Sequence, residues 1–192
     1  MPNEYSVRAT RLARYTGLRP RDLFVIPPSA DKGAWLEWKT SKRGVVALIP
    51  ITKEIRAELD WFAARRAERR YEPAAIIINS RGKPFTPDGF SSNFQRARRS
   101  MIARLRAEEL PSDPVEAARR RKWIDDLETK RFYDLRGTAA THYAYAGFDD
   151  KEIADFMAWN KDSVEKIINK YVRRERVMRE TLSRLSRDKA GT

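Results

Sequence analysis

Four short stretches hold residue types suited to handling a phosphate. In "FYDLRGTAATHYAYAG", residues 132–147, Arg136 stands one residue before Gly137 and two before Thr138, where a helix is predicted to start. Glycine near the front of a helix costs roughly 1 kcal/mol relative to alanine. A helix N-terminus carries partial positive charge and unpaired N–H groups, which suit an anion. Arginine at such a place suggests a phosphate. Two further basic residues occupy non-random positions: Arg19 follows "TGL", and Lys42 sits in "TSKRG" between two strand-like runs. A tyrosine, Tyr171, comes late, in "NKYVRR".

The overall charge points the same way. The chain has 192 residues, enough for one compact domain with a real core. Forty Lys and Arg oppose 27 Asp and Glu, a net charge of +13. That excess suggests a polyanionic partner, most often nucleic acid; a merely soluble basic surface is the alternative. With no cysteine, disulfides and thiolate chemistry are excluded, and a reducing cytosol is compatible. A single histidine cannot build a His-based metal site, and neither a metal nor a cofactor is expected. No apolar run approaches the roughly 20 residues of a membrane span, and no signal peptide is visible.

The elements that must position these residues are mostly helical. "RATRLARYTGLRPRDLFVI" reads as a helix stopped by Gly17 and a second helical piece opened by Pro20. "PPSADKG" is a loop by composition. "AWLEWKTSKRGVVALIPI" reads as a β-hairpin, with Trp35 and Trp38 as packing residues and Lys42 and Arg43 at its tip. Thr52 caps the next helix, with Ile55, Leu59, Phe62 and Ala63 on one face. Arg65, Arg66, Arg69 and Arg70 on its other side are a solvated face or a phosphate contact. "AAIIINSRGKPF" is a buried run and a turn. Thr86 and Pro87 open a helix lined by Phe90, Phe94, Ala97, Met101 and Leu105.

Residues 107–130 are charge-dense, with Pro111 and Pro114, and read as a loop plus a polar helix. They form a charged insertion, facing DNA or solvent. The helix after Asp134 places Leu135, Ala139, His142, Tyr143 and Ala146 inward and ends at Gly147, with His142 a packed residue rather than a ligand. Ile153, Phe156 and Met157 mark the next helix. Val164, Ile167, Ile168 and Tyr171 form the stripe of the one after, so an ordinary buried tyrosine is a rival reading of Tyr171. Residues 173–188 are amphipathic. Mostly helices with a small hairpin make the class α+β.

Taken in order, these motifs resemble the tyrosine recombinases, the phage integrases and their bacterial relatives. "YTGLRPRDL" resembles the first arginine motif, with Asp22 in the acidic position after it. "SKRGVVALIPI" resembles the hairpin of the catalytic lysine, though Lys39 is a rival to Lys42. "YDLRGTAATHYAYAG" resembles the His-x-x-Arg box, and "IADFMAWNKDSVEKIINKYV" the final box leading to the nucleophile. Together they cover most of residues 10–175.

The resemblance implies a mostly helical recombinase catalytic domain with a small antiparallel hairpin. It implies metal-independent strand cleavage and rejoining on double-stranded DNA through a 3′-phosphotyrosine. Tyr171 would attack, Arg19 and Arg136 would clamp the non-bridging oxygens, and Lys42 would protonate the leaving 5′-oxygen. Tyr133 stands at the histidine of His-x-x-Arg and Trp159 at the second histidine. Each can donate a hydrogen bond to phosphate, but neither is an imidazole base.

The resemblance further implies a tetramer assembled on DNA and a cytoplasmic, nucleoid-associated place in a prokaryote or phage host. The tail at residues 173–192 would dock on a neighbour or on its own domain. Residues 1–192 are read as a single catalytic domain, the N-terminal core-binding domain apparently absent. A catalytically impaired DNA-binding module and a type IB topoisomerase-like enzyme are the alternatives.

Overall fold

The computed structural model describes residues 3–42, 44–70 and 72–172, and for Lys170 and Tyr171 the backbone alone. The expected docking segment at residues 173–192 and Arg43 of the hairpin tip lie outside the described residues.

Helix α1 spans Glu4–Thr16. Asn3 opens it by accepting from the Ser6 N–H at 2.9 Å, and Ala9, Leu12 and Ala13 bury one face. Gly17 closes it at φ 63°, a left-handed turn that glycine adopts without penalty. The one-turn helix α2, Pro20–Leu23, follows at once, with proline in its first turn.

The hairpin forms where β-branched and aromatic residues alternate. Strands β1 (Trp35–Lys39) and β2 (Val46–Pro50) pair antiparallel, with Trp35 opposite Pro50 and Lys39 opposite Val46. Leu36, Ala47 and Ile49 face the core. Trp38 packs against that core, whereas Trp35 is 44% exposed, so it does not serve as the packing residue expected of it.

Helix α3 (Lys53–Ala67) is capped by Thr52 and buries Ile55, Leu59 and Phe62. Ala63 turns outward, because the buried stripe ends at Phe62. Its arginines hold the fold. Arg65 pairs with Glu68 at 2.6 Å, Arg66 donates to the Ile76 carbonyl at 2.8 Å, and Arg69 reaches the Tyr5 hydroxyl and Ser80 carbonyl, each at 3.3 Å. Those contacts with α1 and the 75–80 segment give Arg66 and Arg69 structural roles, while Arg65 is paired locally and Arg70 is exposed.

The segment 75–78 is buried and pairs through an isolated bridge from Ile78 to Pro84. Helix α4 (Pro87–Ala107) then packs along α5 (Pro114–Thr129). The buried residues of that pair are Phe90 and Ile102 on α4 and Ala117 and Ile124 on α5; Met101, expected inside, is 36% exposed. Ion pairs supplement this thin apolar contact. Arg106 meets Asp125 at 3.1 Å and Glu128 at 2.8 Å, and Arg120 pairs with Glu108.

Helices α6 (Leu135–Tyr145), α7 (Asp150–Met157) and α8 (Lys161–Tyr171) share a second core. It contains Ala139, Ala140, Tyr143, Ala144, Ile153, Met157, Val164, Ile168 and Val172. The first core joins α1, α2, the hairpin, α3 and the tilted rings of Phe24, Phe90 and Phe132. His142 and Ala146 are exposed rather than packed inward, and the His142 ring meets Tyr15 at 6.0 Å.

Tyr143 is 2% exposed, and its hydroxyl has no hydrogen-bond partner among the described residues. Burial pushes that phenol up. An unsatisfied buried hydroxyl costs about 1–3 kcal/mol. Tyr143→Phe, which keeps the ring, is therefore expected to raise the melting temperature by about 2–4 °C in calorimetry.

Among the described residues no helix is long and apolar enough to cross a membrane, and no group of three His, Asp or Glu is placed to hold a metal ion.

Candidate active site

The site forms where the two cores meet. Arg136, second residue of α6, is only 2% exposed. Its Nη1 donates to the carbonyl of Gly17, the residue that ends α1. Its Nε and Nη2 are buried and make no hydrogen bond among the described residues. Trp159 lies over the guanidinium with its ring centroid 4.6 Å from Cζ, and Tyr133 lies 5.9 Å away. Aromatic faces at that range hold a cation by about 0.5–2 kcal/mol and fix the guanidinium plane.

Local structure puts those rings in place. A short 3-10 turn, Phe132–Asp134, precedes α6. It buries Phe132 and leaves Tyr133 54% exposed beside the pocket. The Asp134 carboxylate accepts from the Arg131 N–H at 2.7 Å and holds this turn. Helix α7 begins with a reciprocal capping pair, Asp149 and Glu152. It ends at Ala158, which is left-handed at φ 47°, and the Trp159 N–H then turns back to the Ala154 carbonyl at 2.8 Å. A non-glycine residue in that conformation costs about 1–2 kcal/mol. The strain sits directly before the ring that covers Arg136.

Arg19 stands at the head of α2 with extended backbone, and its Nη1 is also buried without a hydrogen bond. Burial first, and then the charge of Arg19, pulls the Arg136 guanidinium well below its ordinary value, to about 9; Tyr133 and Asp22 oppose them. Arginine stays protonated in proteins, so two cations face the one buried carboxylate of Asp22 and the pocket keeps an excess of positive charge. Three buried guanidinium nitrogens wait for acceptors, one on Arg19 and two on Arg136. A tetrahedral oxyanion supplies such acceptors, and arginine's planar fork matches two of its oxygens.

Asp22 joins the hairpin to this pair. It is fully buried, and its Oδ1 accepts from Trp38 Nε1 at 3.2 Å and from the Ser41 N–H at 2.7 Å. Lys42 is the next residue, exposed at the turn tip. Bonds from Thr40 N to the Val45 carbonyl and from Gly44 N to the Thr40 carbonyl, each 2.9 Å, close the turn. The rival Lys39 ends β1, and its Cε would lie 3.7 Å from a Cβ on Gly44.

The structure thus gathers Arg19, Tyr133, Arg136 and Trp159, and ties the turn carrying Lys42 to the same helix through Asp22. The phenol of Tyr171 lies outside the described side chains. Its backbone is the last residue of α8, one turn beyond Ile167. Ile167 packs on the start of α6, where a Cβ on Gly137 would make an ordinary 3.5 Å contact with its Cδ1. Space alone therefore does not demand glycine at 137. Sequence reasoning missed the Gly17 carbonyl and the joining role of Asp22. "TGLR" signalled a helix stop, but not that its carbonyl would meet a guanidinium 119 residues away.

The family described as Phage integrase family matches residues 3–176. No curated protein matches the chain. Among solved structures, a lambda integrase tetramer bound to a Holliday junction superposes with a TM-score of 0.60 at 22% identity over 85% of this chain and 42% of that one. The lambda integrase catalytic core gives 0.57 at 22% identity over 79% of this chain and 78% of that one. The Tn1549 transposon integrase in complex with transposon right end DNA gives 0.59 at 17% identity over 93% and 58%. The chain thus spans less than half the length of the tetrameric lambda integrase chain.

Proposed function

Because the chain belongs to the phage integrase family, we propose that its pocket cuts and rejoins DNA strands without a metal. The supporting observation is the buried Arg136 guanidinium beside the half-buried Arg19, with Nε and Nη2 of the first and Nη1 of the second lacking acceptors among the described residues. In this reading they hold the non-bridging oxygens of one backbone phosphate. The Tyr171 oxygen attacks phosphorus as its proton passes to solvent water, and the bond to the 5′-oxygen breaks. Lys42 gives that oxygen a proton. The product is a 3′-phosphotyrosine and a free 5′-hydroxyl. Attack by a 5′-hydroxyl of another strand reverses the step, and the phosphoester count is unchanged, so ATP is not consumed. The Tyr133 phenol and the Trp159 N–H serve as hydrogen-bond donors to the phosphate. As developing charge meets donors already in place, each well-placed donor is worth about 100-fold to 1,000-fold in rate.

Lambda integrase is described as a tetramer bound to a Holliday junction, and strand exchange by this chain is proposed to need several copies on duplex DNA. Residues 1–192 are proposed to act as one catalytic unit in the prokaryotic or phage-infected cytoplasm, with residues 173–192 docking between copies.

A suicide duplex nicked near the cleavage point, run on a denaturing gel, tests this. Wild type is expected to leave a covalent protein–DNA band, and Tyr171→Phe none. A band that persists in the Phe variant moves the nucleophile elsewhere. No band from wild type, with DNA binding retained, leaves the non-cutting binding module.

A further inference from the structure

The outer face of α5 is unusual for a solvated helix. Val115 is 61% and Trp123 51% exposed, and between and beside them stand the exposed cations Arg119, Arg121 and Lys122. Val115, Arg119 and Trp123 follow at spacings of four, and Lys122 stands three beyond Arg119, so Arg119 is flanked on one stripe by the apolar pair and by Lys122. Among the described residues those three cations make no ion pair. The inner acids of α5 cannot neutralise them, because Asp125 and Glu128 are both held by Arg106 of α4. Arg120, the fourth cation of the run, is paired with Glu108. Of the other exposed acids of α5, Glu116 lies three residues before Arg119 and Asp126 four beyond Lys122, so they offset part of this charge without pairing with it.

The stripe also leads toward the pocket. Six residues of helix separate Trp123 from Thr129, about 9 Å along the axis. Four more reach Tyr133, at most about 13 Å of extended chain. The exposed Lys130 and Arg131 lie on that path. A duplex rises about 3.4 Å per base pair, so the stripe falls within roughly six base pairs of a phosphate held by Arg136.

We propose that the outer stripe of α5 is a second DNA-binding surface, in which Arg119 and Lys122 contact backbone phosphates of the flanking duplex and Trp123 packs against the adjoining sugar. This rests on the proposed function above. DNA is the occupant because Arg119, Arg121 and Lys122 make no ion pair among the described residues and outnumber the two exposed acids beside them, Glu116 and Asp126, and because the chain runs on from this helix into a pocket suited to the same backbone. A protein partner would meet an apolar centre here interrupted by free charges, whereas a duplex supplies the missing anions.

The test uses the whole chain and a random-sequence duplex about three helical turns long, with fluorescence anisotropy across a potassium chloride series. Removing two phosphate contacts in the double variant Arg119→Gln, Lys122→Gln is expected to flatten the slope of log K against log salt by about 1.8. Trp123→Ala is expected to weaken binding about threefold at unchanged slope. Arg70→Gln with Arg81→Gln, two exposed cations in the loops beyond α3, is the charge-matched control and is expected to change the slope little.

All these side chains are exposed, and an unchanged melting temperature confirms that each variant folds. A slope in the α5 double variant equal to wild type, with wild-type binding still steep in salt, overturns the α5 surface and leaves the proposed function standing. An equal flattening in the control pair overturns it as well, since diffuse charge then accounts for the effect. Absent or salt-flat binding by wild type removes both the surface and the reading beneath it.

Discussion

Arg136→Met is expected to melt about 2–4 °C above wild type while losing at least about 100-fold to 1,000-fold in covalent-complex formation. The two effects have one cause. The guanidinium is 2% exposed and stands beside the charge of Arg19, with two of its nitrogens unsatisfied. Holding a desolvated cation in that setting costs free energy, and an apolar side chain of similar length removes the cost. The lost bond to the Gly17 carbonyl returns part of the gain, about 1 kcal/mol. What disappears is the grip on the phosphate. Sulfate supplies the control: it is expected to raise the wild-type melting temperature by mass action and to leave Arg136→Met unmoved. Equal sulfate shifts in both proteins would mean that the anion sits elsewhere. Arg136→Lys is not expected to restore cleavage, because one ammonium cannot span two oxygens in a plane.

Gly17→Ala is the second large effect, and it acts on the fold and the pocket together. Position 17 is left-handed at φ 63°, which costs an L-residue about 1–2 kcal/mol. A Cβ there would also lie 2.9 Å from the Cβ of Ala139 and 2.2 Å from Cε of Met157. The methionine end can swing away, but the Ala139 Cβ is fixed to the α6 backbone. Overpacking of this kind costs typically about 1–3 kcal/mol. The sum, about 2–5 kcal/mol, is a large share of the stability of a domain this size. It should appear as a fall of many degrees in the melting temperature and as loss of cleavage in whatever protein remains folded. A variant that melts like wild type would show that α1 and α6 are not packed through this glycine.

Much of this architecture was open to a reader of the residues. The hairpin falls at 35–50 because β-branched and aromatic residues flank a short basic turn. The caps at Thr52 and Thr86 and the stop at Gly17 follow from side-chain chemistry within a few positions. The phosphate-suited arginines were legible for the same reason, each lying in a distinctive local stretch. Contacts decided by distant packing were not.

On α4 the expected stripe through Ala97 and Met101 is rotated: Ile102 is buried and Met101 is not, because α5 packs along that side. Nothing within α4 announces the presence of α5. His142 stands three residues beyond Ala139 and looked inward-facing. The buried stripe of α6 instead runs through Ala139, Ala140, Tyr143 and Ala144, leaving His142 at the surface by Tyr15. The carbonyl of Gly17 illustrates the same limit, since its partner is a whole helix bundle away in the chain.

The order of these parts along the polypeptide has its own consequence. Synthesis delivers Arg19, Asp22 and the Lys42 turn first. Arg136 and Trp159, which complete the pocket, come more than 90 residues later. A chain cut short of its final third keeps Arg19, Asp22 and the Lys42 turn but loses Arg136 and its Trp159 cover, and with them Phe132 and Ala158 of the first core. Truncation there is expected to cost packing and the anion pocket together, not one without the other.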